Sequence, residues 1–217
     1  MALFLAVLTF LFFIALDVVV LKVQARRFAL AGLDVTDFRL PKGLFFHKGH
    51  TWANIETSGK MKIGVDDFAQ RILGRFDGFM LRNVGEFVKQ GEEILSVRQG
   101  KRTAVFTSPV DGVIRSINEK VTEDPIVVRE YPYEAGWIYS IEPTNLAIDV
   151  KRLISNKKAL SWLRNEIRKF RDFLAEQSLQ NKLVGQTLQD GGLPVDGLME
   201  HMDDFIWTRF QEDFLTK

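Results

Sequence analysis

Cysteine is absent from the 217 residues. That excludes a disulfide framework, thiolate-ligated zinc or iron–sulfur sites, a thiol nucleophile and a lipidated N-terminal cysteine. A dominant charge sign is missing too: Lys+Arg 29 against Asp+Glu 28 leave +1, which provides no global field to draw in nucleic acid. No phosphate-cradling glycine loop, nucleophile elbow or ordered His–acid–Ser set is present. Nor is there an internal repeat of solenoid length. These gaps point away from an independent catalytic site.

What the chain does have begins at its N-terminus. Ala2–Leu21 is nearly unbroken hydrocarbon, interrupted by one charge, Asp17. About 20 apolar residues at about 1.5 Å each match a hydrocarbon core of about 30 Å. The expectation is a single-pass helix, with Asp17 reaching the interface near Lys22. A cleaved signal peptide fits less well, because no Lys or Arg precedes the run and the run is long for an h-region. Lys22, Arg26 and Arg27 follow it. By the positive-inside rule they place the soluble part in the cytoplasm, with residues 2–21 in the inner membrane bilayer.

Beyond a juxtamembrane connector, residues 23–42, the pattern turns to β over residues 43–146. Short alternating runs (Trp52–Glu56, Lys60–Val65, Phe76–Leu81, Glu92–Val97, Thr103–Thr107, Gly112–Ile117, Trp137–Ile141) are separated by glycine-bearing turns, which predicts a small barrel or sandwich. Asp66–Leu73 reads as a short helix capped by Asp66. Residues 147–217 read as helical. Leu160, Leu163, Ile167, Phe170 and Leu174 form one amphipathic stripe, and Met199, Met202, Ile206, Phe210 and Phe214 another, on a helix from about Pro194 to Phe214. Lys151–Arg171 holds eight Lys/Arg and one acid, whereas Asp172–Lys217 holds nine Asp/Glu and three Lys/Arg. Opposite charge favours antiparallel pairing of the two helices, or else a basic face turned to a membrane or an acidic partner.

Several motifs then stand in a recognisable order: His50-Thr51-Trp52; Ile63-Gly64-Val65-Asp66-Asp67-Phe68-Ala69-Gln70; Leu73-Gly74; Val84-Gly85-Glu86; Ser108-Pro109-Val110-Asp111-Gly112; Asn118-Glu119; and Tyr131-Pro132-Tyr133 with Gly136-Trp137-Ile138. Together, over roughly Phe46–Pro143, they resemble the glycine cleavage system H protein of the lipoyl/biotinyl-domain superfamily. The resemblance implies a lipoyl-type β barrel-sandwich; with the N-terminal transmembrane helix and the C-terminal amphipathic helices, which lie outside the likeness, the chain reads as α+β. In that family a lysine in a Glu-Ser-Val-Lys-Ala hairpin carries lipoyl as an amide, and the arm hands an aminomethyl group between partner enzymes. Counting back from Pro109, Lys101 falls at that position, in the turn Gln99-Gly100-Lys101. Here the tip reads Arg98-Gln99-Gly100-Lys101-Arg102: the acid is gone and arginines flank the lysine.

The leading expectation is therefore a membrane-tethered lipoyl carrier, with Lys101 the attachment point and no active site of its own. The alternative is an unmodified adaptor using the same fold as a binding module in a membrane enzyme complex. Lys101 as a plain solvated turn residue is the ordinary reading of such a position. A periplasmic efflux adaptor is disfavoured, since the tip carries no long helical hairpin, and a biotin carrier since Met-Lys-Met is missing. His47 and His50 lack a third partner for a metal, His50 reads as structural beside Trp52, and His201 reads as a surface residue.

Overall fold

The computed structural model describes residues 9–20, 33–180 and 196–217. They fall into two compact units, Met1–Asp34 with Arg164–Leu193, and Val35–Leu163 with Pro194–Lys217.

The second unit is the β domain. Its elements in chain order are β1 (Phe45–Phe46), β2 (Thr51–Ile55), β3 (Met61–Val65), α1 (Asp67–Leu73), β4 (Gly78–Leu81), β5 (Phe87–Val88), β6 (Glu93–Gln99), β7 (Arg102–Thr107), β8 (Gly112–Ile117), α2 (Glu119–Glu123), α3 (Ile126–Glu130), β9 (Tyr139–Pro143), α4 (Leu146–Arg152) and β10 (Ile154–Ser155). The strands form two antiparallel sheets, one ordered β10-β1-β2-β3-β9-β8-β5 and one β4-β6-β7. This is the expected lipoyl-type sandwich, with strand ends shifted by a few residues from the sequence reading.

Local chemistry explains the frame. Gly59, at φ +81°, turns β2 into β3. Opposite Trp52 in that hairpin stands Gly64, where an added Cβ would come 2.7 Å from the indole. The bare backbone lets the ring lie flat across β3, and its Nε1 donates to the Val65 carbonyl at 3.2 Å. Asp66 caps α1 as expected, accepting from the Ala69 amide at 2.9 Å. Its other oxygen takes His50 Nδ1 at 2.8 Å. The His50 ring is fully buried and stacks on Phe68, with centroids 4.7 Å apart, and it lies 5.3 Å from Trp162. His50 is thus structural, and its ring contacts include Phe68 and Trp162. Leu44, Phe46, Trp52 and Ala159 form a core cluster, and Trp137 and Trp162 pack against it half-buried. Trp52 is thus core and Trp137 sits at its margin, with the Lys62 amine 5.2 Å from its ring centroid.

The C-terminal stretch differs from the single helix expected from about Pro194 to Phe214. Residues 194 and 195 lie outside the described residues. After Gly197, at φ +76°, come a 3-10 turn (Leu198–His201), a short helix at Asp204–Phe210 and a π turn at Gln211–Leu215. Asp203 starts the short helix by accepting from the Ile206 amide at 2.9 Å. All five stripe residues, Met199, Met202, Ile206, Phe210 and Phe214, are nonetheless buried. The apolar pattern survives a broken helix because each piece turns its own apolar side to the domain. Two acids of this stretch form ion pairs within the unit: Asp196 with Arg71 and Arg129, and Asp204 with Arg102.

α5 (Asn156–Gln180) begins in this unit. Ala159 and Leu163 are buried, but Leu160, placed on the apolar stripe by its spacing, is 43% exposed. In the first unit, α5 buries Ile167, Phe170 and Leu174. The same unit contains a helix over residues 9–20, part of the expected membrane span. Among the described residues no helix is long and apolar enough to cross a membrane. At about 1.5 Å per residue, residues 9–20 reach about 18 Å against the roughly 30 Å of a hydrocarbon core. The remainder of residues 2–21, with Lys22, Arg26 and Arg27, lies outside the described residues.

Candidate functional site: the β6–β7 hairpin tip

β6 and β7 pair down to Gln99↔Arg102, so the turn is tighter than the sequence reading: Gly100 and Lys101 alone close it. Gly100 has φ +59°, whereas Lys101 is absent from the positive-φ residues. A left-handed first corner alone is the II′ pattern, whose twist matches that of the flanking strands. Lys101 is exposed, and no hydrogen bond or ion pair holds its amine among the described residues.

Every other tip residue from Gln99 to Arg102 is tied down. Gln99 Nε2 donates to the carbonyls of Leu73 (2.7 Å) and Arg75 (2.9 Å). The Gly100 amide donates to Asp77 Oδ2 at 2.6 Å. Arg102 Nε donates to Asp204 Oδ1 at 2.7 Å, and its NH1 to the Met199 carbonyl at 3.3 Å. The Arg102 guanidinium also lies 5.4 Å from the ring centroid of Trp207. The two clamps meet, because the Arg75 amide donates to Glu200 Oε1 at 2.6 Å.

The same C-terminal stretch serves the free edge of β7. In a two-residue hairpin, Arg102, Ala104 and Phe106 pair with β6, so the backbone groups of Thr103 and Val105 face outward. Trp207 Nε1 donates to the Thr103 carbonyl at 3.3 Å, and the Val105 amide donates to Gln211 Oε1 at 3.2 Å. At the strand end, Thr51 Oγ1 donates to the Thr107 carbonyl at 2.9 Å.

An open groove of about 440 Å³ runs beside the tip, bounded by Arg75, Lys101 and Arg102 and by Asp77, Glu200 and Asp204. The flanking arginines alone predict a strongly basic tip; folding surrounds it with three carboxylates. Sequence reasoning missed this set. Asp204 is separated from Arg102 by 102 positions, and the only trace of it is the acidic bias of Asp172–Lys217.

Residues 44–166 match the glycine cleavage H-protein family. A probable glycine cleavage system H protein of Pyrococcus abyssi is 32% identical over 133 residues, spanning 61% of this chain and 98% of that protein. The glycine cleavage system H protein of Listeria monocytogenes is 36% identical over 117 residues, 54% of this chain and 92% of that one. Among solved structures, a glycine cleavage system H protein of Mycobacterium marinum is similar at 30% identity and a TM-score of 0.46, covering 48% of this chain and 87% of that chain.

The chain belongs to the glycine cleavage H-protein family. H proteins of this family act as carriers without a catalytic centre of their own, and this chain is accordingly a non-enzyme. The matched residues include Lys101 and both strands of its hairpin. Met199, Glu200, Asp204, Trp207 and Gln211 lie beyond them.

Among the described residues no histidine lines the groove. His47 Nδ1 accepts the Gly49 amide and meets Thr107 Oγ1, each at 3.2 Å. Burial, with His50 and Lys48 adding to it, pushes its pKa down to about 4. Among the described residues no group of three His, Cys, Asp or Glu is placed to hold a metal. Burial also raises the Asp67 carboxyl, whose Oδ2 accepts the Arg39 amide at 2.9 Å.

Proposed function

We propose that the chain is a lipoyl carrier with Lys101 as the attachment point, tethered to a membrane through residues 2–21. The observation that carries the reading is a solvent-exposed, unpartnered amine on a two-residue turn whose other residue and two flanking residues are all held. Attachment needs an amine that an acylating enzyme can enclose, on a turn that does not yield. In that step the deprotonated Nζ attacks the carbonyl carbon of a lipoyl adenylate. A C–N bond forms, the C–O bond to AMP breaks, AMP leaves with the electron pair, and the nitrogen gives up a proton. Once bound, the group supplies a reversible dithiolane at the end of a flexible arm. The protein's part is to hold the base of that arm still and present it to partner enzymes.

Tethering is supported by the composition of residues 2–21 and by the described helix. Phe10, Phe12, Phe13 and Val19 are each more than half exposed, and the exposed apolar side chains run right round the helix. A helix apolar on all sides calls for an apolar surrounding. The positive flank Lys22, Arg26 and Arg27 favours a cytoplasmic β domain. Holding a carrier beside a membrane-bound partner raises its effective concentration there.

The adaptor reading is favoured by one observation: the arginines at 98 and 102 replace the family's Glu and Ala. Intact-mass and peptide measurements on the chain from its source organism decide between the two. The expected result is one lipoyl amide on the Lys101 peptide, with loss of function in Lys101→Arg. An unmodified Lys101, or a fully functional Lys101→Arg chain, rejects the carrier reading.

A further inference from the structure

We infer that the C-terminal segment, residues 196–217, is a positioning clamp for the carrier turn, with Asp204 and Trp207 as positioning residues for acylation of Lys101. The inference rests on the carrier reading and extends it to residues outside the family match.

β6–β7 is a hairpin whose far strand is the edge of a three-stranded sheet. An edge strand has half its backbone groups unpaired within its own sheet and depends on other elements to take them up. The residue next to the lysine, Arg102, is fixed by three contacts, all from this segment: Asp204 Oδ1 at 2.7 Å, the Met199 carbonyl at 3.3 Å and the Trp207 ring. Thr103, one residue on, gives its outward carbonyl to Trp207 Nε1. The Arg102 side chain is 23% exposed while that of Asp204 is 87% exposed. The arginine is thus folded down onto the segment, while the carboxylate that draws it down stays open to solvent.

Two consequences follow for an enzyme closing over Lys101. The turn is held from both sides, by Asp77 and the Leu73–Arg75 carbonyls on one and by the segment on the other, so little order has to be imposed on docking. The flanking cation is neutralised locally, so the docking enzyme meets a balanced surface rather than two adjacent free cations. Both effects act on recognition, and neither touches the reacting atoms.

The test compares the full chain with Asp204→Asn, Trp207→Phe and Asp204→Glu, using an ATP-dependent lipoate–protein ligase, lipoate and ATP, and following acylation of Lys101 by mass. Asp204→Asn and Trp207→Phe are expected to raise the KM for the carrier about tenfold with kcat little changed. Asp204→Glu is expected to restore most of the loss. Hydrogen exchange should quicken at Arg102 and Ala104, whose amides pair with β6 at the turn end, with the thermal midpoint nearly unmoved, a combination that a general loss of folding does not produce. Parent-like KM in both Asp204→Asn and Trp207→Phe overturns the clamp and leaves the carrier reading standing. A parent chain that is unacylated in this assay and also when isolated from its source organism overturns both.

Discussion

Two residues illustrate how the fold decides the role of a side chain that sequence alone leaves open. Lys101 sits beside Gly100 in a turn, the commonest setting for a solvated lysine, yet between Gln99 and Arg102 it alone has a side chain left unheld. His47 shows the reverse: a histidine near a second histidine, drawn into the fold as a neutral acceptor for the Gly49 amide. Its folded pKa of about 4 lies below the ordinary value of 6.5, so the unfolded chain binds the proton more readily. Stability from this group is fully present above about pH 6.5, declines as the pH falls and is lost below about 4. The whole effect is at most about 3 kcal/mol. Thermal midpoints of the parent and His47→Asn, measured between pH 7 and pH 4, check it. The parent should lose more on acidification, and parallel curves would assign the acid sensitivity elsewhere.

At the scale of elements, β7 and the C-terminal segment complete one another. β7 lacks a strand partner on one side, and side chains of the segment take up its outward groups: Trp207 at Thr103 and Gln211 at Val105. Covering an edge with a helix protects it from pairing with another chain. Gln211→Ala should cost about 1 kcal/mol, the usual worth of one such bond. It should also make Val105 the amide with the largest rise in hydrogen exchange; unchanged exchange at Val105 would mean that Gln211 does not guard the edge. The helix expected from about Pro194 to Phe214 breaks because Gly197 takes a left-handed φ and Asp203 opens a new helix with its own cap. Period alone could not show this, since a 3-10 turn and a short helix in sequence can bury the same apolar positions as one continuous helix.

For the whole molecule, the family-matched domain is one part of a longer design that adds an apolar N-terminal stretch and a C-terminal clamp. If residues 2–21 anchor the chain, full-length protein should remain with membranes through an alkaline carbonate wash and leave only with detergent. A reporter fused after Lys217 should be active only on the cytoplasmic side. Release by carbonate, or activity on the opposite side, would reject the anchor or its orientation respectively.

The sequence by itself determined the β domain, because its signals are local. Alternation marks the strands, Gly59 and Gly100 mark turns that need positive φ, and Asp66 marks a cap three residues before the amide it serves. It also determined which lysine stands on the tip, because a hairpin joins neighbours in the chain. The tertiary structure alone decided what surrounds that lysine. The pairing of Arg102 with Asp204 and the capping of Thr103 by Trp207 join residues about a hundred positions apart. Nothing in a local pattern registers such a contact, because it exists only once the apolar faces of the C-terminal pieces have been buried against the domain.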